Sequence, residues 1–421
     1  MMRAWYASTF RALGNRQFRL LWIGTSISGL AYTMQWTVQA VVAFDLAGTN
    51  TAVGLVQLGI GMAMLILSPI GGVVADRVAK KPLVLCCQSI IGCCFLAIGT
   101  LILTGHLTLT WLVLITAFMG MAFAFLGPTQ QAWVGSLVPQ NMLGNAVALS
   151  QLASNGSRVA GPLVAGLMLT TAAIGAGGAY LFMGALFVAV VFTLTRLPKT
   201  YAKPSSERRA VATELMEGVR YVSGHSRIRT LMLLFMSVVV LGFMWQIVLP
   251  AYLERHLQRP TSDVGFILTV NAVSGLVTAL ALTAVVSTRW AWPAMFGCVG
   301  LLGLGFVLLA MAPSFEVALW ATLALGPGLS GFMLVNNALI MANTDPRYFG
   351  RVMSLTMLAW GLQGAFSLPF GALADAFGER AMLFTTGGFL FVIMLGGGLA
   401  VLRLARNGKL VGRIEPASGP I

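Results

Sequence analysis

Five polar or aromatic side chains share one face of a predicted helix near the start of the chain, in an otherwise apolar segment. They are Ser28, Tyr32, Gln35, Trp36 and Gln39, at spacings of i, i+4, i+7, i+8 and i+11. Rings and amides stack and donate hydrogen bonds but do not break bonds, so this stripe is suited to hold a small ring-bearing amphipathic molecule. The same side chains would also join neighbouring helices, through hydrogen bonds worth about 0.6 kcal/mol each. Both interpretations stay open.

A second polar stripe contains Gln151, Ser154, Asn155 and Arg158. Arg158 is the only base deep inside a predicted span, away from its ends, where a charge is costly and indicates a function by default. It would either form a bidentate contact with an anionic ligand or pair with backbone carbonyls as a structural lock, and the sequence favours neither. The predicted ligand-binding set comprises Tyr32, Gln35, Trp36, Gln39, Asn155 and Arg158, with Trp245, Gln246, Asn271, Asn336, Trp360 and Gln363 as weaker members.

The elements that carry these residues are predicted to be membrane-spanning helices. Of 421 residues, 58% are hydrophobic and 9% are charged, whereas soluble domains have about 25% charged residues. A helix needs about 20 apolar residues to cross a bilayer, which predicts an all-α membrane protein with twelve transmembrane helices. The twelve spans are about 17–45, 51–75, 82–104, 108–136, 142–170, 174–197, 228–253, 262–287, 291–312, 315–342, 349–373 and 379–403.

The basic residues follow the order of the loops. If the N-terminus is cytoplasmic, 22 of the 26 Lys and Arg lie on the cytoplasmic side, and only Arg255, Arg259 and Arg380 lie outside. This asymmetry matches the positive-inside rule. We therefore expect both termini in the cytoplasm, and we attribute the net charge of +14 to topology rather than to nucleic-acid binding.

The two halves of the chain resemble each other. NTAVGLVQLGIG (50–61) follows the first span as TSDVGFILTVNA (261–272) follows the seventh. Six spans repeated by six spans are typical of transporters, because two bundles rocking about a central site give alternating access. We predict an N-terminal six-helix bundle at 1–198, a cytoplasmic linker with an amphipathic helix at 199–227, and a C-terminal six-helix bundle with a cytoplasmic tail at 228–421.

The loop after span two reads GGVVADRVAKKP (71–82) and resembles the corresponding loop of the major facilitator superfamily. Ala79 replaces the glycine that is usual there. Within that superfamily, the chain is most similar to the branch of the enterobactin exporter and related bacterial efflux (transmembrane secretion effector) proteins. This similarity is carried by VPQNMLGNAVALSQLASNGSRVAGPLVAG (138–166) and FGRVMSLTMLAWGLQGAFSLPFGALADAFG (349–378).

The resemblance implies two groups of motif residues. Gly161, Pro162 and Gly166 resemble a helix-packing signature associated with exporters and antiporters. Asp76 would face the positive N-terminal end of span eleven and close the cytoplasmic side, although the bases of this loop would also suffice merely to set topology. The predicted cytoplasmic gate comprises Gly72, Asp76, Arg77, Lys80, Lys81, Asp345 and Arg351.

The sequence offers few groups for proton coupling. A coupled carrier needs a side chain whose charge changes between access states, yet no Asp or Glu is predicted at mid-membrane depth. Asp45, at the outer end of span one, is the candidate by default, together with Arg158. Gln130 and Gln131 stand where the drug-antiporter motif has an arginine. Coupling through the charge of the substrate, and facilitated transport, therefore stay open.

We expect a secondary active transporter of the bacterial inner membrane that exports a small amphipathic organic molecule, a siderophore or a drug, by proton antiport. An importer or a lipid carrier is the alternative, and the repeat and gate motif disfavour a non-transporting receptor or scaffold. The histidines are scattered and no carboxylates pair at helical spacing, which argues against an enzyme. We expect a monomer with no metal or cofactor, whose partners are its substrate, the lipid bilayer and a proton.

Overall fold

The computed structural model describes residues 11–197, 211–286, 288, 290–345 and 348–406, and its regular elements are all helical. The first six helices are α1 (Arg16–Ala47), α2 (Asn50–Arg77), α3 (Lys80–Leu103), α4 (Leu109–Leu137), α5 (Gln140–Thr170) and α6 (Gly175–Thr195). The others are α7 (Val211–Gly224), α8 (Ser226–Phe243), α9 (Trp245–Leu257), α10 (Val264–Leu282), α11 (Ala291–Met311), α12 (Phe315–Asn343), α13 (Phe349–Phe377) and α14 (Glu379–Arg406). Short 3-10 turns precede α1 and α10.

In the described part of the chain, ten helical segments are long and apolar enough to cross a membrane. One of them contains both α8 and α9. Helices α1 and α5 are longer than most of these, with 32 and 31 residues, but the two polar stripes lower their hydropathy. Helices α1 and α5 and the ten segments together make up the twelve predicted spans. The all-α membrane fold is therefore confirmed.

Side-chain caps fix the beginnings of several spans. The side-chain oxygen of Asn15 accepts hydrogen bonds from the first backbone N–H groups of α1, and Thr49, Thr108 and Ser314 do the same for α2, α4 and α12. Gly48 ends α1 in a left-handed conformation, with φ +64°, which a residue without a Cβ adopts at little cost. Apolar runs bounded by such caps explain why the observed ends lie close to the predicted ones.

Span seven differs from its prediction as one continuous helix. It is divided at Met244 into α8 and α9. Pro250 lies one turn into α9, where it has no N–H for a helical hydrogen bond and crowds the carbonyl four residues earlier. Pro250 thus removes one hydrogen bond inside α9, and the break at Met244 was not revealed by periodicity.

The described chain forms two compact units. The first contains residues up to 211 together with 261–269, so the beginning of predicted span eight groups with the first half. Within this unit α1 packs against α5 and α6, α2 against α4, and α3 against both α4 and α6. Gly71 of α2 touches the backbone of Ala124 of α4, where a Cβ would clash.

The second unit contains residues 212–260 and 270–421. Helix α11 packs against α12 and α14, and α8 packs against α12 and α13. Helix α9 contacts α13 and α14. The amphipathic linker helix α7 belongs to this unit, and its contacts with the beginning of α13 are described below.

Candidate functional site

The polar stripe of α1 divides into two environments. Tyr32 and Trp36 are half-buried, whereas Gln35 and Gln39 are each only 1% exposed. The two pairs differ because the stripe covers a wide angle of the helix, and only one edge of it is covered by other helices. The aromatic pair is therefore partly exposed, and the amide pair is covered by neighbouring helices.

Tyr32 and Trp36 belong to an aromatic group that also includes Phe123 of α4. The Tyr32 and Trp36 rings meet edge to face with centroids 6.1 Å apart, and the Tyr32 and Phe123 centroids are 4.5 Å apart. Phe123 was missed by the sequence interpretation, because a phenylalanine among many apolar residues of a span carries no signal of its own. We call Tyr32, Trp36, Phe123 and Arg158 the aromatic–arginine face.

Arg158 of α5 completes this face with a positive charge. Its side chain is exposed and lies close enough to Tyr32 for the two to interact electrostatically. Among the described residues, no hydrogen bond or ion pair holds its guanidinium. The nearby Gln151 and Asn155 are joined to each other by a hydrogen bond of 3.4 Å. The structural-lock alternative, in which Arg158 pairs with backbone carbonyls, thus has no contact to support it in the described part of the chain.

The buried amides of α1 are bonded to each other. Gln35 Nε2 donates to Gln39 Oε1 at 2.6 Å. The remaining amide atoms, Gln35 Oε1 and Gln39 Nε2, have no partner among the described residues. The bond lies within α1, so burial against neighbouring helices, and not a hydrogen bond between helices, places these two residues in the packed interior of the described chain.

The packing motif of α5 lies where helices approach most closely. A Cβ at Gly161 would clash with the side chain of Thr33, whose hydroxyl donates to the carbonyl of Ser157 at 2.7 Å. Gly166 lies against Gly265, and the Pro162 carbonyl also faces that residue. Glycine at these positions permits close contact of α5 with its neighbours within the first unit.

The predicted ligand-binding residues of the second unit are mostly buried. Trp360 is half-buried, with its ring centroid 5.0 Å from that of Phe243. Trp245, Asn336 and Gln363 are fully buried, so they contribute to packing between helices of this unit. Gln246 and Asn271 are half-buried.

The predicted gate is only partly visible. The side chains of Gly72, Asp76 and Arg77 lie outside the described residues. Lys81, at the beginning of α3, donates to the backbone carbonyls of Thr195 and Leu197 at the end of α6. A lysine placed there satisfies carbonyls that a helix end leaves unpaired and complements the helix dipole. Lys80 is half-buried beside it.

Asp345 and Arg351 instead contact the linker helix α7. Arg351 Nη1 pairs with Glu217 Oε2 at 3.0 Å, and the backbone N–H of Asp345 donates to the Tyr221 hydroxyl at 3.1 Å. The Tyr221 ring stacks on Tyr348 with centroids 4.1 Å apart. No local pattern predicted this contact, which joins residues over 120 positions apart.

Asp45, the default candidate for coupling, lies exposed at the end of α1. Its Oδ1 accepts a hydrogen bond from the Thr261 hydroxyl at 3.2 Å. An exposed carboxylate at a helix end is already solvated, so its surroundings give no particular reason for proton binding. The described helices are thus those of a multi-pass membrane protein.

Comparison with known proteins gives the same classification. Residues 21–367 match the family described as the Major Facilitator Superfamily. The multi-drug resistance efflux pump PmrA of Streptococcus pneumoniae is 22% identical over 392 residues, covering 87% of this chain and 92% of that protein. Macrolide efflux protein A of Streptococcus pyogenes is 22% identical over 390 residues, covering 90% of this chain and 94% of that protein.

A solved structure of the nucleoside transporter NupG has the same fold. It matches with a TM-score of 0.77 and 13% identity, covering 91% of this chain and 99% of NupG. The twelve-span fold, the match over most of the chain and the similarity to NupG lead to one conclusion. The chain is a multi-pass membrane transporter that belongs to the major facilitator superfamily.

Proposed function

We propose that this transporter exports a small amphipathic organic molecule, a siderophore or a drug, that carries an aromatic ring and an anionic or electron-rich group. The aromatic–arginine face on α1, α4 and α5 supports this proposal best. Tyr32, Trp36 and Phe123 offer ring edges and faces for stacking, and the exposed Arg158 offers a positive charge. The two features together match a ligand with both an apolar and a polar end.

The charge of Arg158 determines the kind of ligand. A guanidinium is rarely placed within a membrane span unless it lines a cavity or has a partner, and no partner holds it among the described residues. Its planar fork binds carboxylates and other oxyanions through two parallel hydrogen bonds. The proposed substrate is therefore an aromatic molecule with an oxyanion or a cluster of electron-rich oxygens.

Direction and energy source form the second part of the proposal. Export is supported by the curated relatives, which are named as efflux proteins, and by the exporter-type Gly161–Pro162 motif. Proton antiport would drive the substrate from the cytoplasm to the outside. The distribution of the basic residues supports cytoplasmic termini in a bacterial inner membrane, and each chain would work as a monomer.

Efflux from intact cells tests this function. Bacterial cells that lack their own efflux pumps and express the protein would be loaded with carboxyfluorescein, an aromatic anion, or with ethidium, an aromatic cation. We expect cells with the protein to lose carboxyfluorescein faster than cells with an empty vector, and faster than they lose ethidium. Carboxyfluorescein that stays longer in the expressing cells would instead indicate an importer.

A further inference from the structure

A buried carboxylate lies at the predicted outer end of the second unit. Glu379, the first residue of α14, is only 3% exposed. Its Oε1 accepts a hydrogen bond from Arg255 Nη1 at 2.8 Å, and its Oε2 lies 3.0 Å from His256 Nε2. Both partners come from the last turn of α9. No local sequence pattern predicts this burial, because it arises only from the packing of α9 against α14.

The backbone holds this carboxylate in place. Gly378, with φ +90°, forms the sharp turn between α13 and α14, and its N–H donates to the carbonyl of Ala374. A residue with a side chain would be strained in this conformation. The turn thus directs Glu379 back towards α9 instead of into solvent, where a carboxylate would otherwise be most stable.

The other charged groups around this pair have separate roles. Asp375 of α13 lies 4.0 Å from Arg255. Arg380 donates to the backbone carbonyl of Ala312 at 3.0 Å, and the Tyr252 ring lies 5.6 Å from the His256 ring. Of these groups, histidine is the side chain that ordinarily changes charge between about pH 5 and pH 8.

We propose that Glu379 and His256 form the proton-binding site that couples this transporter to the proton gradient. This inference rests on the proton antiport proposed above. In the loaded state, His256 carries a proton on both ring nitrogens and forms an ion pair with the Glu379 carboxylate. Release of one proton to the medium leaves a neutral imidazole with a single N–H. The charge-assisted hydrogen bond then becomes an ordinary, weaker one.

The position of the pair links this proton to helix movement. His256 lies in the last turn of α9, which belongs to span seven, while Glu379 begins α14 one residue after Gly378, at the end of α13. Helix α13 also carries Trp360 and Gln363 of the predicted ligand-binding set. Loss of the proton weakens the His256 contact between α9 and α14 and leaves the Arg255–Glu379 ion pair to hold them, so the two protonation states favour different arrangements of the same helices. A ligand that prefers one arrangement is thereby coupled to the proton.

Two uptake measurements in proteoliposomes distinguish proton coupling from substrate transport. Wild-type protein, Glu379→Gln and His256→Gln would be reconstituted, and uptake of carboxyfluorescein measured in two ways. The first is accumulation driven by an acidic interior. The second is counterflow, in which unlabelled substrate inside exchanges for labelled substrate outside without any gradient. We expect both variants to lose gradient-driven accumulation to the level of protein-free liposomes while they retain counterflow.

Glu254→Gln is the matched control. Glu254 is an exposed carboxylate two residues before His256 on the same helix, and its variant should keep both activities. Gradient-driven accumulation that persists in Glu379→Gln and His256→Gln would overturn the proposed site. Loss of both counterflow and accumulation in these variants would also overturn the proposed site, because Glu379 and His256 would then only hold α9 and α14 together. If the wild-type protein shows counterflow but no gradient response, proton antiport itself is wrong.

Discussion

Individual side chains of α1 have different roles although they lie on one polar stripe. The stripe itself could be predicted from the sequence, because helical spacing places its members on one face. Its division could not, since whether a residue is covered depends on which neighbouring helix packs against it. Tyr32 and Trp36 are accessible, while Gln35 and Gln39 are buried. Substitutions on the two sides should therefore change different properties of the protein.

Trp36→Ala should weaken binding of carboxyfluorescein with little effect on protein abundance. An aromatic contact contributes about 0.5–1.5 kcal/mol beyond its buried area, which corresponds to a roughly two- to tenfold rise in Kd. Fluorescence titration of the purified protein in detergent measures this change. Trp320→Ala is the control, because the Trp320 side chain of α12 is 72% exposed and lies outside the proposed site. Equal weakening by both variants would refute the role of Trp36.

The variants Arg158→Gln and Arg158→Lys test whether the positive charge of Arg158 contributes to ligand binding. Loss of a charged hydrogen-bond donor costs about 1.5–3 kcal/mol, so Arg158→Gln should weaken carboxyfluorescein binding about ten- to hundredfold. Ethidium binding should weaken less or become tighter. Arg158→Lys keeps the charge but not the planar fork, and should fall between the wild type and Arg158→Gln. Unchanged carboxyfluorescein binding in all three proteins would restore the structural alternative.

Substitutions at Gln35 and Gln39 should change the stability of the folded protein and not the binding of carboxyfluorescein. A single Gln39→Leu leaves Gln35 with a buried amide that has lost its partner, which costs about 1–3 kcal/mol. Replacing both residues with Leu removes the polar atoms together and should be less harmful. We therefore expect the melting temperature in detergent to be lower for Gln39→Leu than for the double variant. A double variant that melts lowest and no longer binds carboxyfluorescein would place the amides in the ligand site.

At the scale of helices, local patterns predicted the spans well and their contacts poorly. Apolar runs and caps set the boundaries of each span, but the break in span seven at Met244 depends on backbone geometry that hydropathy does not register. The amphipathic helix α7 was correctly predicted as helical in its described part. Its docking on the beginning of α13, through Glu217 and Tyr221, joins segments that are far apart in sequence and carries no local signal.

Gly218→Val should release α7 from α13. A Cβ at Gly218 would lie 3.2 Å from the Arg351 carbonyl oxygen, so a larger side chain would force the two helices apart. Such overpacking costs about 1–3 kcal/mol, which should speed hydrogen exchange in α7 about tenfold. Gly224→Val is the matched control, because a Cβ at Gly224 meets no atom within 4 Å. Equal exchange in the two variants would show that α7 is not held by this contact.

At the scale of the whole molecule, each of the two units carries its own group of polar side chains among the described residues. The first unit presents the aromatic–arginine face. In the second unit, α13 contacts α7 at its beginning through Arg351 and approaches Arg255 near its end through Asp375. Composition and the repeat predicted a twelve-span transporter, and the resemblance of the 71–82 loop indicated the superfamily. The substrate could not be predicted, because it depends on which few side chains remain accessible after the helices have packed.

Transport into everted inner-membrane vesicles tests the central claim most directly. The vesicle interior corresponds to the outside of the cell, so an exporter that exchanges protons should accumulate carboxyfluorescein when the interior is made acidic. We expect this accumulation with the wild-type protein, its collapse when the gradient is dissipated, and its loss in Arg158→Gln at equal protein abundance. Accumulation that is independent of the gradient and undiminished in Arg158→Gln would contradict both the proposed substrate site and the proposed energy source.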